Sequence, residues 1–231
     1  MNITPDQLIY WQWGPLVFNA TLMYTWLVMA LLVLVSGLVT RRLSTGARIS
    51  RLQNLLEILV VFIRQQIIAV GHQEPGRYLP FIGTIFLFIA LSNLLSIVPG
   101  YQPPTGSLST TTALAAWVFA AVPFFGIWNQ GIIRYLRNYT QPSVLMLPFN
   151  IIGEFSRTLA LAVRLFGNVM SGSMIGGVLL AVTPLFFPVV MQAFGLLIGI
   201  IQAYIFAVLA TVYITAAAGA RSQPDAPAAL R

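Results

Sequence analysis

Apolar and polar positions along the chain sort into a few very long apolar blocks separated by short basic stretches. Three blocks, 16–40, 78–98 and 110–133, reach the length of about 20 residues that an α-helix needs to cross a hydrocarbon layer. A fourth block, 145–219, is too long for one crossing and is interrupted by Pro184 and Pro188. It predicts a hairpin of two helices, 145–182 and 185–219. At about 1.5 Å per residue each arm exceeds about 50 Å, so each must tilt, kink or extend beyond the membrane. The stretch 49–70 differs in character. Leu52, Leu55, Leu56, Leu59, Val60, Phe62 and Ile63 are mixed with Arg51, Gln53, Asn54, Glu57, Arg64, Gln65 and Gln66. That mixture predicts an amphipathic helix at the membrane face, resting on lipid or on a partner protein. The tail 222–231, with Pro224 and Pro227, predicts a short disordered end. The pattern as a whole predicts one all-α polytopic membrane domain, 1–231, of five transmembrane helices plus an interfacial helix.

Composition agrees. Of 231 residues 58% are apolar and only 7% charged, where a soluble domain carries about a quarter charged residues. There is no cysteine, so disulfides, iron–sulfur clusters and thiolate zinc sites are excluded. The lone His72, in a loop beside Glu74 and Pro75, cannot supply a bis-histidine haem or a zinc triad. Lysine is absent, which excludes a Walker A phosphate loop and Schiff-base chemistry. Neither a cofactor nor a metal is expected. The net charge of +7 comes from arginines scattered between apolar spans, so it reads as membrane topology and not as nucleic-acid binding.

Arginine placement gives the orientation. Arg41, Arg42, Arg48, Arg51, Arg64 and Arg77 lie between the first and second spans, Arg134 and Arg137 follow the third, and Arg221 and Arg231 follow the last. The segment before the first span holds Asp6 and no base, and 99–109 holds no charge. Five spans with the N-terminus outside put ten of the twelve arginines in the cytoplasm. The missing positive n-region also argues against a cleaved signal peptide. Trp11, Trp13 and Trp26, with Tyr10 and Tyr24, suit an interfacial belt at the outer end of the first helix, and Trp117 and Trp128 suit packing or belt positions.

The remaining arginines sit where charge is expensive. The fourth span contains Glu154, Arg157, Arg164, Asn168 and Ser171, which fall within an arc of about 100° and along about 25 Å of helix. They make one polar edge. A central arginine costs at least about 2.5 kcal/mol to insert. Glu154 and Arg157 can glue helices or snorkel near the cytoplasmic end. Arg164 has no such excuse: Glu154 is about 15 Å away along the axis, and no other acid of the chain lies near. Its counter-ion must come from another subunit. On the fifth span Gln192, Gly195, Gly199, Gln202 and Tyr213 share an arc of about 80°. With Ala203 alongside, that stripe of small residues predicts a face against the arginine helix.

These residues resemble a known family. Leu161-Ala-Val-Arg164-Leu-Phe-Gly-Asn168 resembles the signature of the a subunit of F-type ATP synthases. Ala90-Leu-Ser-Asn93-Leu-Leu resembles that family's asparagine-containing helix, with Pro99-Gly100 at its outer end. Glu154-Phe-Ser-Arg157 resembles the segment leading to the signature, and Ile201-Gln202-Ala-Tyr-Ile-Phe206 the last helix. The similarity runs from about 48 to 218. It implies that Arg164 faces a carboxylate on each c subunit of a rotating ring, fed by two offset half-channels. It further implies b-type peripheral stalk partners, protons or sodium ions as cargo, no nucleotide chemistry in this chain, and a long tilted hairpin. By position Glu154 and Arg157 would line the cytoplasmic half-channel, with Asn168, Gln202 and Asn93 near the arginine and the outer route. Many members carry an acid nine positions after the arginine, a histidine partner on the last helix, and an acid three after the asparagine. Those places hold Ser173, Gly195 and Ser96, which leaves water, Asn93, Ser96, Ser173 and Gln192 to serve the outer route.

Two other classes fit less well. A stand-alone transporter or channel binding an anion at Arg164 would complete its site within one chain or a homo-oligomer, usually with repeat symmetry, and no inverted repeat is visible. A purely structural anchor leaves Arg164 and both polar stripes unexplained. Basic charge carried wholly by arginine points to a GC-rich bacterial genome and so to a bacterial inner membrane.

Overall fold

The computed structural model describes residues 6, 9–13, 16–41, 51–71, 75–98, 100–140, 146–182 and 187–218. The expected disordered tail, His72 and the hairpin tip at Pro184 lie outside the described residues. Strands β1 (Ile9–Trp13) and β2 (Leu16–Asn19) pair antiparallel. Helices follow: α1 (Ala20–Thr40), α2 (Arg51–Gly71), α3 (Leu79–Leu94), α4 (Leu108–Gln130), α5 (Ile132–Thr140), α6 (Met146–Val182) and α7 (Phe187–Ala218). Single 3-10 turns stand at Pro75–Arg77, Leu95–Ile97 and Pro104–Gly106.

The all-α expectation holds for every predicted span, and the helical hairpin falls within two residues of its predicted ends. Two boundaries are corrected. The first span begins at Ala20 and not at 16, because Leu16–Asn19 extends to pair with β1. The third is cut at Gly131, whose φ of 81° only glycine adopts freely. The chain turns there, and α5 folds back so that Tyr135 is buried close against Gly126.

The helix expected at the interface is α2. It is one of six helices among the described residues that are long and apolar enough to cross a membrane, by length and composition alone. Its Leu, Ile, Val and Phe outweigh the interspersed polar residues. Ile63 and Ile67 pack against α3 and α7, and Tyr204 donates a hydrogen bond of 2.8 Å to Gln66 Oε1.

The core lies between α3, α4, α6 and α7. Ile82, Phe86 and Ile89 of α3 meet Val118 and Val122 of α4, Leu161 and Leu165 of α6, and Phe206, Ala210 and Ile214 of α7. Alanines on α4 and α7 let the backbones approach. The outside is apolar too: Val33 is 73% and Trp117 67% exposed. Such a surface is stable only against lipid or further protein. α1 is peripheral and leans on α3.

Four contacts fix the relative directions. Asn93 meets Gly199 and Ser96 meets Gln192, so α3 and α7 run antiparallel. Arg157 meets Tyr213, so α6 and α7 are antiparallel arms. Gln130 Nε2 donates to the Ala217 carbonyl at 2.7 Å, which places the end of α4 beside the end of α7.

Candidate functional site

The polar residues picked out in the sequence fall into two clusters at opposite ends of the core, with Arg164 between them along α6. At the first end, α4, α5, α6 and α7 surround a cavity of about 310 Å³. Glu154, Arg157 and Asn150 of α6, Tyr213 of α7 and Tyr135 of α5 are among its lining. The Arg157 guanidinium carbon lies 5.8 Å from the Tyr213 ring centre, a cation–π distance. Two residues from separate sequence stripes thus meet. Tyr135 and Asn150 were missed as site residues. Tyr135 is recognisable only once Gly131 has turned α5 back.

At the other end the centre is Asn93, buried on α3. Its Nδ2 donates to the Gly199 carbonyl at 3.1 Å, and its Oδ1 accepts from Thr105 Oγ1 at 3.1 Å. Ser96 Oγ donates to the Asn93 carbonyl at 2.6 Å, and Gln192 Nε2 donates to the Ser96 carbonyl at 2.8 Å. Asn93, Ser96 and Gln192 are therefore one cluster, as expected, with Thr105 an unforeseen member. Gln202 is only 6% exposed, and its Nε2 has no hydrogen-bond partner among the described residues. Burying an amide N–H unpaired costs about 1–3 kcal/mol. Tyr101, in the turn after α3, is no such carrier. Burial, opposed by the Ser92 hydroxyl, pushes its phenol well above the usual value, so it stays neutral.

The glycine stripe of α7 is a correction. It was expected to face the arginine helix, yet its closest approach is to α3: a Cβ on Gly199 would stand 2.8 Å from Asn93 Cβ. Gly195 meets nothing within 4 Å. The wheel showed that α7 has a small-residue face but not which neighbour fills it.

Arg164 projects from the open flank of α6. Leu161 and Leu165 are fully buried beneath it, while Val163 beside it is 53% exposed. Arg164 itself is exposed and, among the described residues, pairs with no carboxylate or ring. Asn168, one turn on, is half-buried, and Ser171 Oγ donates to its carbonyl at 3.1 Å. Ser173 is exposed, with its proton engaged by the Met170 carbonyl at 2.8 Å. It joins neither cluster through any described hydrogen bond. α6 is the least buried of the four core helices, and Arg164, Ser171 and Ser173 are exposed on it.

The fold and site define a multi-pass helical membrane protein with an unpaired arginine on a face left open within the apolar layer. Residues 22–215 match the family model described as ATP synthase A chain, and the chain belongs to that family. It is 65% identical to "ATP synthase subunit a 2" of Acaryochloris marina over 217 residues, 94% of this chain and 93% of that one. It is 59% identical to "ATP synthase subunit a" of Albidiferax ferrireducens, covering 98% of both chains. It is 58% identical to "ATP synthase subunit a 1" of Chlorobaculum parvum over 96% of this chain and 99% of that one.

Proposed function

We propose that this chain is the ion-translocating stator subunit of a rotary F-type ATP synthase, with Arg164 as its coupling charge. The observation that carries this reading is an exposed arginine with no counter-ion among the described residues, on the uncovered face of α6 between two polar clusters. A charge so placed is tolerable only if a carboxylate arrives from outside the chain. Carboxylates of a c-subunit ring fill that role. As each one approaches, the fixed positive charge lowers its pKa and makes it release its ion. The same charge blocks a direct hop between the clusters, so ions must travel around the ring. Arginine suits this because it remains charged in a dry site.

The Glu154–Arg157–Tyr213 cavity serves as the cytoplasmic half-channel. Asn93, Ser96 and Gln192, with Gln202, Asn168 and Ser173 along the route, serve the outer one. Nucleotide chemistry belongs to other subunits of the complex. The b-type stalk holds this subunit against rotation, the cargo is proton or sodium, and the site is the inner membrane of a bacterium.

The test of the interface is disulfide trapping in the assembled complex. The chain has no cysteine of its own, so Ile175→Cys, on the exposed side of α6 with Arg164, can be paired with cysteines on the carboxylate-bearing c-subunit helix. Cross-linking to c is expected. Cross-linking only between copies of this chain would instead favour a stand-alone transporter.

The positive-inside arrangement gives five spans, the N-terminus outside, and α2 held at the cytoplasmic face. Arg51→Cys and Arg77→Cys, at the start of α2 and just before α3, should then both be labelled from the cytoplasmic side by an impermeant maleimide. Labelling from opposite sides would make α2 a sixth span.

A further inference from the structure

The departures from the family pattern leave the outer route without its usual titratable groups, and the structure supplies a carboxylate elsewhere. Asp6 reaches into the bundle's outer end. Its Oδ1 accepts from Thr21 Oγ1 of α1 at 2.6 Å, and Ser107 Oγ, at the start of α4, lies 2.9 and 2.7 Å from Oδ1 and Oδ2. Ser107 has one proton to give, and Ser109 Oγ, 2.7 Å away, can donate to it in turn. Two donors leave lone pairs of the carboxylate free for an arriving cation.

The group is also connected inward. Ser107 and Thr105 are both 0% exposed, two residues apart across the Pro104–Gly106 turn, which packs against α1, α3, α4 and α6. Thr105 bonds Asn93, and Asn93 bonds Gly199 on α7. Hydrogen-bonded polar pairs thus stand on either side of that turn, Asp6 with Ser107 and Thr105 with Asn93. The chain's other acids are Glu57, Glu74, Glu154 and Asp225, and in the five-span arrangement all four lie toward the cytoplasm.

The geometry points to Asp6 as the inlet carboxylate of the outer half-channel, collecting the coupling cation and passing it by way of Ser107 and Thr105 to Asn93. This inference rests on the rotary reading above. A negative charge at a channel mouth raises the local cation concentration and the capture rate, so its loss weakens capture more than turnover.

The experiment uses the whole reconstituted complex and measures ATP synthesis at fixed driving voltage. The ion on the outer side is varied, first protons and then sodium. Asp6→Asn should raise the half-saturating concentration of the coupling ion about five- to tenfold, with the maximal rate within about twofold of wild type. Thr21→Ala removes one tether but keeps the charge, and should leave half-saturation near wild type. An unchanged half-saturation in Asp6→Asn would overturn the inference. So would an equal fall in maximal rate in Asp6→Asn and Thr21→Ala, the sign of a structural tie. With Arg164→Ala run in parallel, the two readings separate. Synthesis persisting in that variant sinks the rotary reading and the inlet with it. Loss there, with Asp6→Asn behaving as wild type, sinks the inlet alone.

Discussion

Arg164→Ala should abolish gradient-driven ATP synthesis, a fall of at least about 100-fold, while the complex assembles normally. The size follows from the role. If the guanidinium is the group that forces an approaching carboxylate to release its ion, its removal takes away an interaction of about 3 kcal/mol or more at a dry site. Without it the ring also loses its barrier between the half-channels, so the membrane should leak the coupling ion passively. Assembly is spared because the side chain is exposed on α6 and makes no described contact within the chain. Alanine is also the better helix former. Leu161 and Leu165, which hold α6 to the core, are untouched. Arg164→Lys should not restore coupling, because a desolvated lysine can lose its proton and its ammonium offers a point charge in place of a planar fork. Synthesis and passive ion flux measured in vesicles, with immunoblots for assembly, check all three statements. Full synthesis in Arg164→Ala would remove the basis of the functional reading.

Gly199→Val should act on the seam between α3 and α7 and cost about 2–4 kcal/mol of stability. Even a single Cβ there would meet Asn93 Cβ at 2.8 Å, closer than carbon atoms pack, and valine adds two methyls. The two helices must separate, and the bond from Asn93 Nδ2 to the Gly199 carbonyl goes with them. A lower unfolding temperature in detergent and reduced assembled complex in membranes are the expected readouts. Asn93→Gly combined with Gly199→Val removes the clashing carbon but also the amide. It should recover part of the assembly and none of the lost ion flow. Equal recovery of both would mean that Asn93 only packs, and wild-type stability in Gly199→Val would show that the close approach does not matter.

Much of this was readable without coordinates. Helix existence and approximate extent follow from block length, because in a hydrocarbon solvent every backbone polar group must bond within its own segment. The polar edge of α6 follows from 3.6 residues per turn, and so does the matching stripe of α7. The failures are of a different kind. The wheel assigned the whole polar and glycine stripe of α7 to the arginine helix, and the structure sets Gly199 against Asn93 on α3 while Tyr213 meets Arg157. The third span was drawn through Gly131, where a positive φ ends it. Asp6 was read only as a charge that helps set orientation, because its partners Thr21 and Ser107 are 15 and 101 residues away.

The sequence by itself determined the solvent, the number of long apolar helices to within one, the absence of an acid within a few helical turns of Arg164 other than Glu154, and the family. Those are properties of composition, period and local spacing. Only the tertiary structure decided which helix fills which face, that Arg164 is left on an uncovered flank, and that Asp6 bonds Ser107 while Thr105, two residues away, bonds Asn93. A small-residue face fits many neighbours equally well, and the choice among them is made by how all the helices pack at once.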